Sequence, residues 1–476
     1  MRDAAGAMTT GDTLPSERFD VLVIGGGNAA LCAAIMARKQ GARVLVLEGA
    51  DKFYRGGNTR HTRNLRLAHD EGNEILTGPY SEEEFMDDLL RVTGGQTDDA
   101  LARLAIAESK SLWDWMNEHG VRFQHPLGGT LGLGRTNAFF LGGGRAMLNA
   151  LYTTAEAMGI DIRYEAKVDA MEIEDGTFRA ARYNGPEGAR RIEARALVTA
   201  AGGFEANIEW LKEYWGERAG NFLIRGSRNN TGSILRLLLD AGVQPVGDPT
   251  QCHAVAIDAR SPQFDGGIVT RLDCVVFGIV VNNRCERFYD EGEDIWPKRY
   301  AIWGRLVADQ PDQIAWILFD SKARGLFMPS VYPVIEARTL HELAGKLGLD
   351  ADALERTVTE FNAAVRPGTF DPDVLDDCST EGITPPKSHW ARTIDTAPFG
   401  AYPVRPGITF TYLGTKVNGE SRMIMADGRP SGNMFAAGEI MAGNVLGKGY
   451  LAGIGMTIGA VFGRLAGEGA GRHARN

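Results

Sequence analysis

The residues with the clearest chemical purpose are Gly25, Gly27 and Ala30, a GxGxxA pattern. It follows the apolar run FDVLVIGG and precedes Ala30, Leu31, Ala34, Ile35 and Ala37 at helical spacing. The first glycine permits a tight turn, the second lets backbone approach a pyrophosphate, and the small third residue lets helix and strand pack closely. A helix starting there offers N–H groups and partial positive charge to phosphates. A second apolar run, ARVLVLE, ends at Glu48, placed to accept from a ribose hydroxyl. Strand, glycine turn, helix, strand and acid together predict a dinucleotide site.

A second group is basic: Arg60, His61, Arg63 and Arg66. Such a cluster usually marks a solvated face, but guanidinium groups also pair carboxylates bidentately. His253 by itself suits a core histidine, and Lys298 with Arg299 suits a solvated pair. Glycines 455, 459, 463 and 467 recur every four residues and give one smooth helix face. Arg464, Glu468 and the short length exclude a membrane span, so this face reads as a close-packing surface.

These groups need elements to carry them. The 476-residue chain, with 44% hydrophobic and 24% charged residues, has the composition of a soluble globular protein. Its net charge of -10 argues against a nucleic-acid partner. No apolar run nears the ~20 residues of a membrane span. Five Cys without CxxC spacing, and a start without an apolar core, suit a reduced, cytoplasmic chain. Helical patterns cover 81–90 and 98–120, and ALYTTAEAMG continues a helix after a Gly-rich stretch at 126–144. DIRYEAKVDAMEIEDGTFRAARYN alternates like a meander, and RALVTAAGGF reads as another buried strand. Residues 249–403 change character, with a hairpin at VVFGIVVNNRCERFYD and a helix near 350–365. From 404 the opening style returns, in NMFAAGE and the Gly-spaced helix. The expected organisation is a flexible tail (1–17), an α/β Rossmann-like domain in two parts (18–248 and 404–476) and an inserted α+β capping domain (249–403).

The order of GGNTRHTRN, LGGGRAMLNAL, TAAGGF, FAAGEIMAGN and YLAGIGMTIGAVFGRLAG resembles the fumarate reductase/succinate dehydrogenase flavoprotein family over nearly the whole chain. GGNTRHTRNLR, ERFYDEGEDIWPKRYAIWGR and GNVLGKGYLAGIGMTIG resemble its tricarballylate dehydrogenase branch. The resemblance implies FAD. Gly25, Gly27, Asn28, Ala29 and Glu48 would serve its adenosine and pyrophosphate end. Gly57, Asn58 and Thr59 would lie by the isoalloxazine, Gly143, Gly144 and Val168 along the cofactor, and Ala201 and Gly202 on its far side. Glu439 would hold the ribityl chain, and the helix start at Gly455 would stabilise anionic reduced flavin. Asn58 stands where succinate dehydrogenases carry a tethering His, which implies non-covalent FAD, although His61 is three residues away.

By the same resemblance His253 is a substrate-carboxylate ligand, with Thr270 and Arg271 beside it. The family's catalytic arginine follows the acid of ERFYDE by four residues. Ile295 occupies that position, so a small insertion would give the role to Arg299, with Lys298 in reserve. Phe410 and Tyr450 replace a second His and a carboxylate-binding Arg, which disfavours plain fumarate reduction. Lys448, Tyr450, Arg60, His61 and Arg63 would then bind a larger polycarboxylate. The implied reaction is dehydrogenation of tricarballylate to cis-aconitate by hydride transfer to flavin N5. Electrons would pass to a separate acceptor, in that branch a membrane-bound electron-transfer protein. Rival readings are a fumarate-type reductase, a precorrin oxygenase, a 3-ketosteroid-type dehydrogenase and a non-catalytic FAD module.

Overall fold

A computed structural model describes residues 14–126, 133–328 and 330–475. Most of the expected tail, and part of the Gly-rich stretch after Pro126, lie outside the described residues. The first strand begins inside the expected tail, at Ser16, which pairs with Arg191.

Two sheets organise the chain. The first runs in the order Arg422–Ile424, Pro430–Ala436, Gly188–Thr199, Ser16–Ile24, Val44–Leu47 and Asp161–Arg163. Its central pairs are parallel, with Val21 opposite both Val44 and Ala196. Val21, Leu22 and Val23 are fully buried, which is why FDVLVIGG is apolar without alternation. Lys167–Glu174 and Thr177–Gly185 add the expected meander beside Gly188–Thr199. The turn after Ile24 puts Gly25 at a φ of 115°, where an added Cβ would strike the Ala200 carbonyl. Helix Asn28–Lys39 follows at once.

The second sheet runs Leu223–Ile224, Phe399–Thr411, Ala315–Phe319 and Ile279–Asn282, with Cys252–Asp258 and Ile335–Ala337 also on Phe399–Thr411. It therefore overruns the expected limits of 249 and 403 at both ends. Val255, Ile257, Ile317 and Trp303 pack one core against it, and Leu343, Leu354 and Phe361 pack another under the helices Leu340–Leu347 and Ala351–Ala364. Asp350 caps the latter helix through Ala353 N.

Two expected elements differ. The 98–120 helix is broken into Asp99–Ser109 and Leu112–Glu118, because the Ser109 and Ser111 hydroxyls donate back to the Ile106 and Glu108 carbonyls at the junction. The hairpin of 275–290 is reduced: Ile279–Asn282 is its one full strand, paired with Ala315–Phe319, and the returning arm joins it only through a single antiparallel bridge between Val281 and Arg287. The chain turns back at Asn282–Cys285 and the ladder stops at that bridge, where the Arg287 side chain ties to Glu291 in a buried i,i+4 ion pair at 2.5 Å.

The final helix, Ile454–Arg475, lies along Asn28–Lys39. The glycine face makes this approach possible: a Cβ on Gly463 would sit 2.5 Å from Ala29 O, and one on Gly467 would collide with the Ala33 carbonyl. Gly467→Ala is expected to lower stability by about 1–3 kcal/mol through overpacking, despite alanine's better helix propensity. Gly345→Ala, on an exposed helix position with nothing within 4 Å of the new Cβ, should instead add about 0.5–1 kcal/mol. Urea unfolding of the two variants measures the contrast.

Candidate active site

The two sheets enclose a cavity of about 480 Å³. Gly25, Gly27, Asn28, Ala29, Glu48, Gly57, Asn58, Thr59, Val168, Ala201, Gly202, Glu439 and Gly455 all line it. Gly143 and Gly144 do not. They sit behind the 57–62 loop, where Gly144 N donates to Thr62 O at 2.8 Å and helps hold that loop in place.

Helix Asn28–Lys39 has no side-chain cap and no acid in its first turn, which leaves that turn free for an anion. Asn28 Nδ2 donates to Met456 O at 3.0 Å, so the starts of this helix and of the last one meet at the cavity. Glu48 accepts from Ala50 N at 2.8 Å and Gly56 N at 3.1 Å, and burial pushes its carboxyl upward. Asn58 Nδ2 donates to Glu205 Oε1 at 2.7 Å and to Glu439 Oε2 at 3.0 Å. Burial raises both of these carboxyls, and the neighbouring Glu205 raises Glu439 further. A glycine cradle, an open helix start and a buried acid at the end of the second strand suit FAD.

A different chemistry occupies the capping side. Arg63, Arg225 and Arg271 line the cavity with His253, Tyr300, Phe410 and Tyr450. Arg271 pairs with Asp273 at 2.8 Å, and Trp296 Nε1 fixes the same carboxylate at 2.7 Å. Burial alone would depress the Arg271 guanidinium, but Asp273 and Tyr300 hold it up. Arg63 and Arg225 have no such partner and fall to about 10, through burial and repulsion from Arg271. Arg225 Nε reaches only Thr409 Oγ1 at 2.8 Å, and a guanidinium nitrogen of each has no hydrogen-bond partner. His253 is driven well below its usual range by burial, then by Arg225 and Arg271, so its ring is neutral. The Tyr300 hydroxyl lies 3.3 Å from His253 Nε2, and the Arg271 guanidinium lies 4.6 Å from the Tyr300 ring centre.

Several sequence-predicted residues fall elsewhere. Arg299 does not line the cavity: Glu293 binds it through Nε at 2.8 Å, and Tyr289 OH accepts from Nη2 at 2.8 Å. Lys298 is held by Asp88 at 2.6 Å. Acids on either side capture both members of the pair. Thr270 is buried and donates to Gly267 O at 2.8 Å, so it shapes the turn that presents Arg271. Lys448 packs over Gly94, and Arg60 lines a separate groove. Arg66 is buried against Tyr80 and Asp88. His61 lines the cavity with Nε2 3.5 Å from Asp265. Sequence reasoning missed Tyr300, although it adjoins Arg299, because the neighbouring residue on a helical turn points about 100° away. It also missed Arg225, which belongs to no motif.

The fold and this site define an FAD-dependent oxidoreductase. The chain belongs to the FAD binding domain family, whose pattern matches residues 20–456. It is 25% identical to an NADH:fumarate oxidoreductase of Klebsiella pneumoniae over 99% of its length, and spans 50% of that relative. It is 26% identical to a digoxin reductase of Eggerthella lenta, covering 98% of this chain and 89% of the other. Among solved structures, the open form of a flavocytochrome c3 fumarate reductase matches with TM-score 0.75 at 24% identity, over 97% of this chain and 79% of that one. A 3-ketosteroid-Δ4-(5α)-dehydrogenase from Rhodococcus jostii matches with TM-score 0.73 at 22% identity, over 96% and 98%. Among the described residues no helix is long and apolar enough to cross a membrane, and no cluster of three or more His, Cys, Asp or Glu could hold a metal.

With Asn58 in the loop and His61 beside Asp265, FAD is expected to be released whole by acid precipitation. A yellow supernatant over a colourless pellet is the predicted result, and flavin fluorescence retained in the denatured protein band would contradict it.

Proposed function

We propose that the protein dehydrogenates a C–C single bond flanked by carboxylates, with tricarballylate to cis-aconitate as the leading reaction. The observation that carries this reading is the set of guanidinium groups lining the cavity, Arg63, Arg225 and Arg271, of which only Arg271 is paired with a carboxylate, that of Asp273. An unpaired buried ion costs several kcal/mol, and a bound polycarboxylate removes that cost for Arg63 and Arg225. A neutral substrate leaves both unpaired.

Bound FAD supplies a ring that accepts hydride. The chain's residues do the rest. The guanidinium groups hold the substrate carboxylates and stabilise negative charge that develops on the adjacent carbon as its proton leaves. Phe410 and Tyr450, with ring centres 5.8 Å apart, narrow the pocket and exclude water. Tyr300 takes the substrate proton on its hydroxyl oxygen and passes its own to His253 Nε2, which the neutral imidazole can accept. Burial and the arginines beside His253 disfavour imidazolium, so the proton passes on to water once the product leaves, restoring the neutral ring.

Tyr300→Phe is expected to lower kcat by about 10²–10⁴ with little change in KM. Arg225→Gln should mainly raise KM for polycarboxylates, and Arg299→Ala should stay near the parent rate. Anaerobic flavin bleaching across tricarballylate, succinate and a 3-ketosteroid tests the substrate class. Bleaching by the steroid alone would sink the polycarboxylate reading.

The guanidinium assignment also fixes a pH dependence. Arg63 and Arg225 bind carboxylate only while protonated, so KM should be flat near neutrality and rise as pH passes through about 10. Initial rates against substrate concentration across that range check the sign.

A further inference from the structure

The loop that lines the cavity with Gly57, Asn58 and Thr59 has a second face. There Lys52, Phe53, Arg55, Arg60, Arg145, Leu148 and Asn149 form a surface groove of about 390 Å³. Phe53 is 63% exposed and Tyr54 43% exposed, both unusual for aromatic side chains. The Arg145 guanidinium lies 5.2 Å from the Phe53 ring centre, and that of Arg60 5.0 Å from Tyr54. Arg228 is paired with Asp265, but among the described residues no carboxylate forms an ion pair with Lys52, Arg55, Arg60 or Arg145. Asp51, the nearest acid in sequence, is occupied by the backbone N–H groups of Phe53 and Tyr54. A protein of net charge -10 thus concentrates four unpaired cations around exposed aromatics.

The groove also adjoins the cofactor cavity. Gly56 lines the cavity, and an added Cβ there would collide with Leu148 Cδ1, which lines the groove. One layer of loop backbone and one side chain therefore link the two. Aromatic and arginine side chains ringed by charge are the composition of protein–protein contact centres. The groove is concave, and its arginines lie against rings rather than splaying outward, which favours carboxylate side chains over a flat lipid surface.

We propose that this groove docks a small acidic one-electron carrier protein that exchanges electrons with the flavin. The proposal rests on bound FAD and not on the identity of the substrate. Each substrate oxidation releases two electrons and two protons. Two oxidised carriers take the electrons one after the other, and the protons pass to water.

The test uses holoenzyme photoreduced anaerobically and mixed in a stopped-flow with cytochrome b5, an acidic carrier, or cytochrome c, a basic one. At low ionic strength cytochrome b5 should be reduced faster as salt is lowered. The Lys52→Glu/Arg145→Glu double variant should lose about tenfold or more of that rate and flatten its salt dependence. Phe53→Ala should slow the same reaction. Reduction of the small dye dichlorophenolindophenol, and the flavin spectrum, should be unchanged in both variants. An unaltered cytochrome b5 rate and salt slope in the double variant would overturn the proposal. So would co-sedimentation with phosphatidylglycerol vesicles that the double variant loses while its cytochrome b5 rate stays intact, since that assigns the groove to a membrane surface.

Discussion

Everything about the cavity depends on two helices approaching until backbone touches backbone. Helix Asn28–Lys39 and helix Ile454–Arg475 belong to opposite ends of the chain. The contact of Gly463 with Ala29 and of Gly467 with Ala33 leaves no room for a methyl group. With larger residues the helices would stand further apart, and the bond from Asn28 to Met456 would open. The two helix starts would then no longer converge on one anionic cofactor. Dispersion between close-packed atoms is small per contact and large in sum, and here it also sets electrostatic geometry.

Around that frame the cavity is electrostatically divided. Toward Asn58 it is lined by Glu439, whose carboxyl is raised by burial and then by Glu205 behind it. Toward the cap, cations outnumber carboxylates, with Asp273 serving Arg271 and leaving Arg63 and Arg225 unmatched. At short range and low dielectric such an imbalance is large compared with ordinary surface effects. It decides which kind of ligand the cavity tolerates. His253 sits in the same field: burial first, and then Arg225 and Arg271, keep its imidazole neutral, so it adds no further cation.

The loop of residues 50–63 joins these features to the exterior. Its glycines face inward to the cavity, and Phe53, Arg55 and Arg60 face outward to the groove. His61 reaches across to Asp265 of the second-sheet region, so the same loop also contacts the cap.

The local features could be read directly. A strand, glycine turn, helix and acid within thirty residues impose their own geometry, and Glu48 lies where that pattern puts it. The glycine face of the last helix, the helix near 350–365 and the buried strands follow equally from spacing and composition. Arg63, His253, Arg271 and Tyr450, which the family resemblance offered for the substrate side, line the cavity. Arg299 does not, because a pair of neighbouring basic residues cannot reveal which one turns inward. That choice was made by Glu293 and Asp88, one just ahead of the helical turn and the other some two hundred residues away, and it passed the inward position to Tyr300. Arg225 had no local mark at all. It faces the cavity because Leu223–Ile224 joins Phe399–Thr411 in the second sheet. Short-range patterns encode backbone shape, since they act through bonds and neighbouring turns. Which charge is left without a partner depends on atoms brought together from across the chain, and only the tertiary structure decides that.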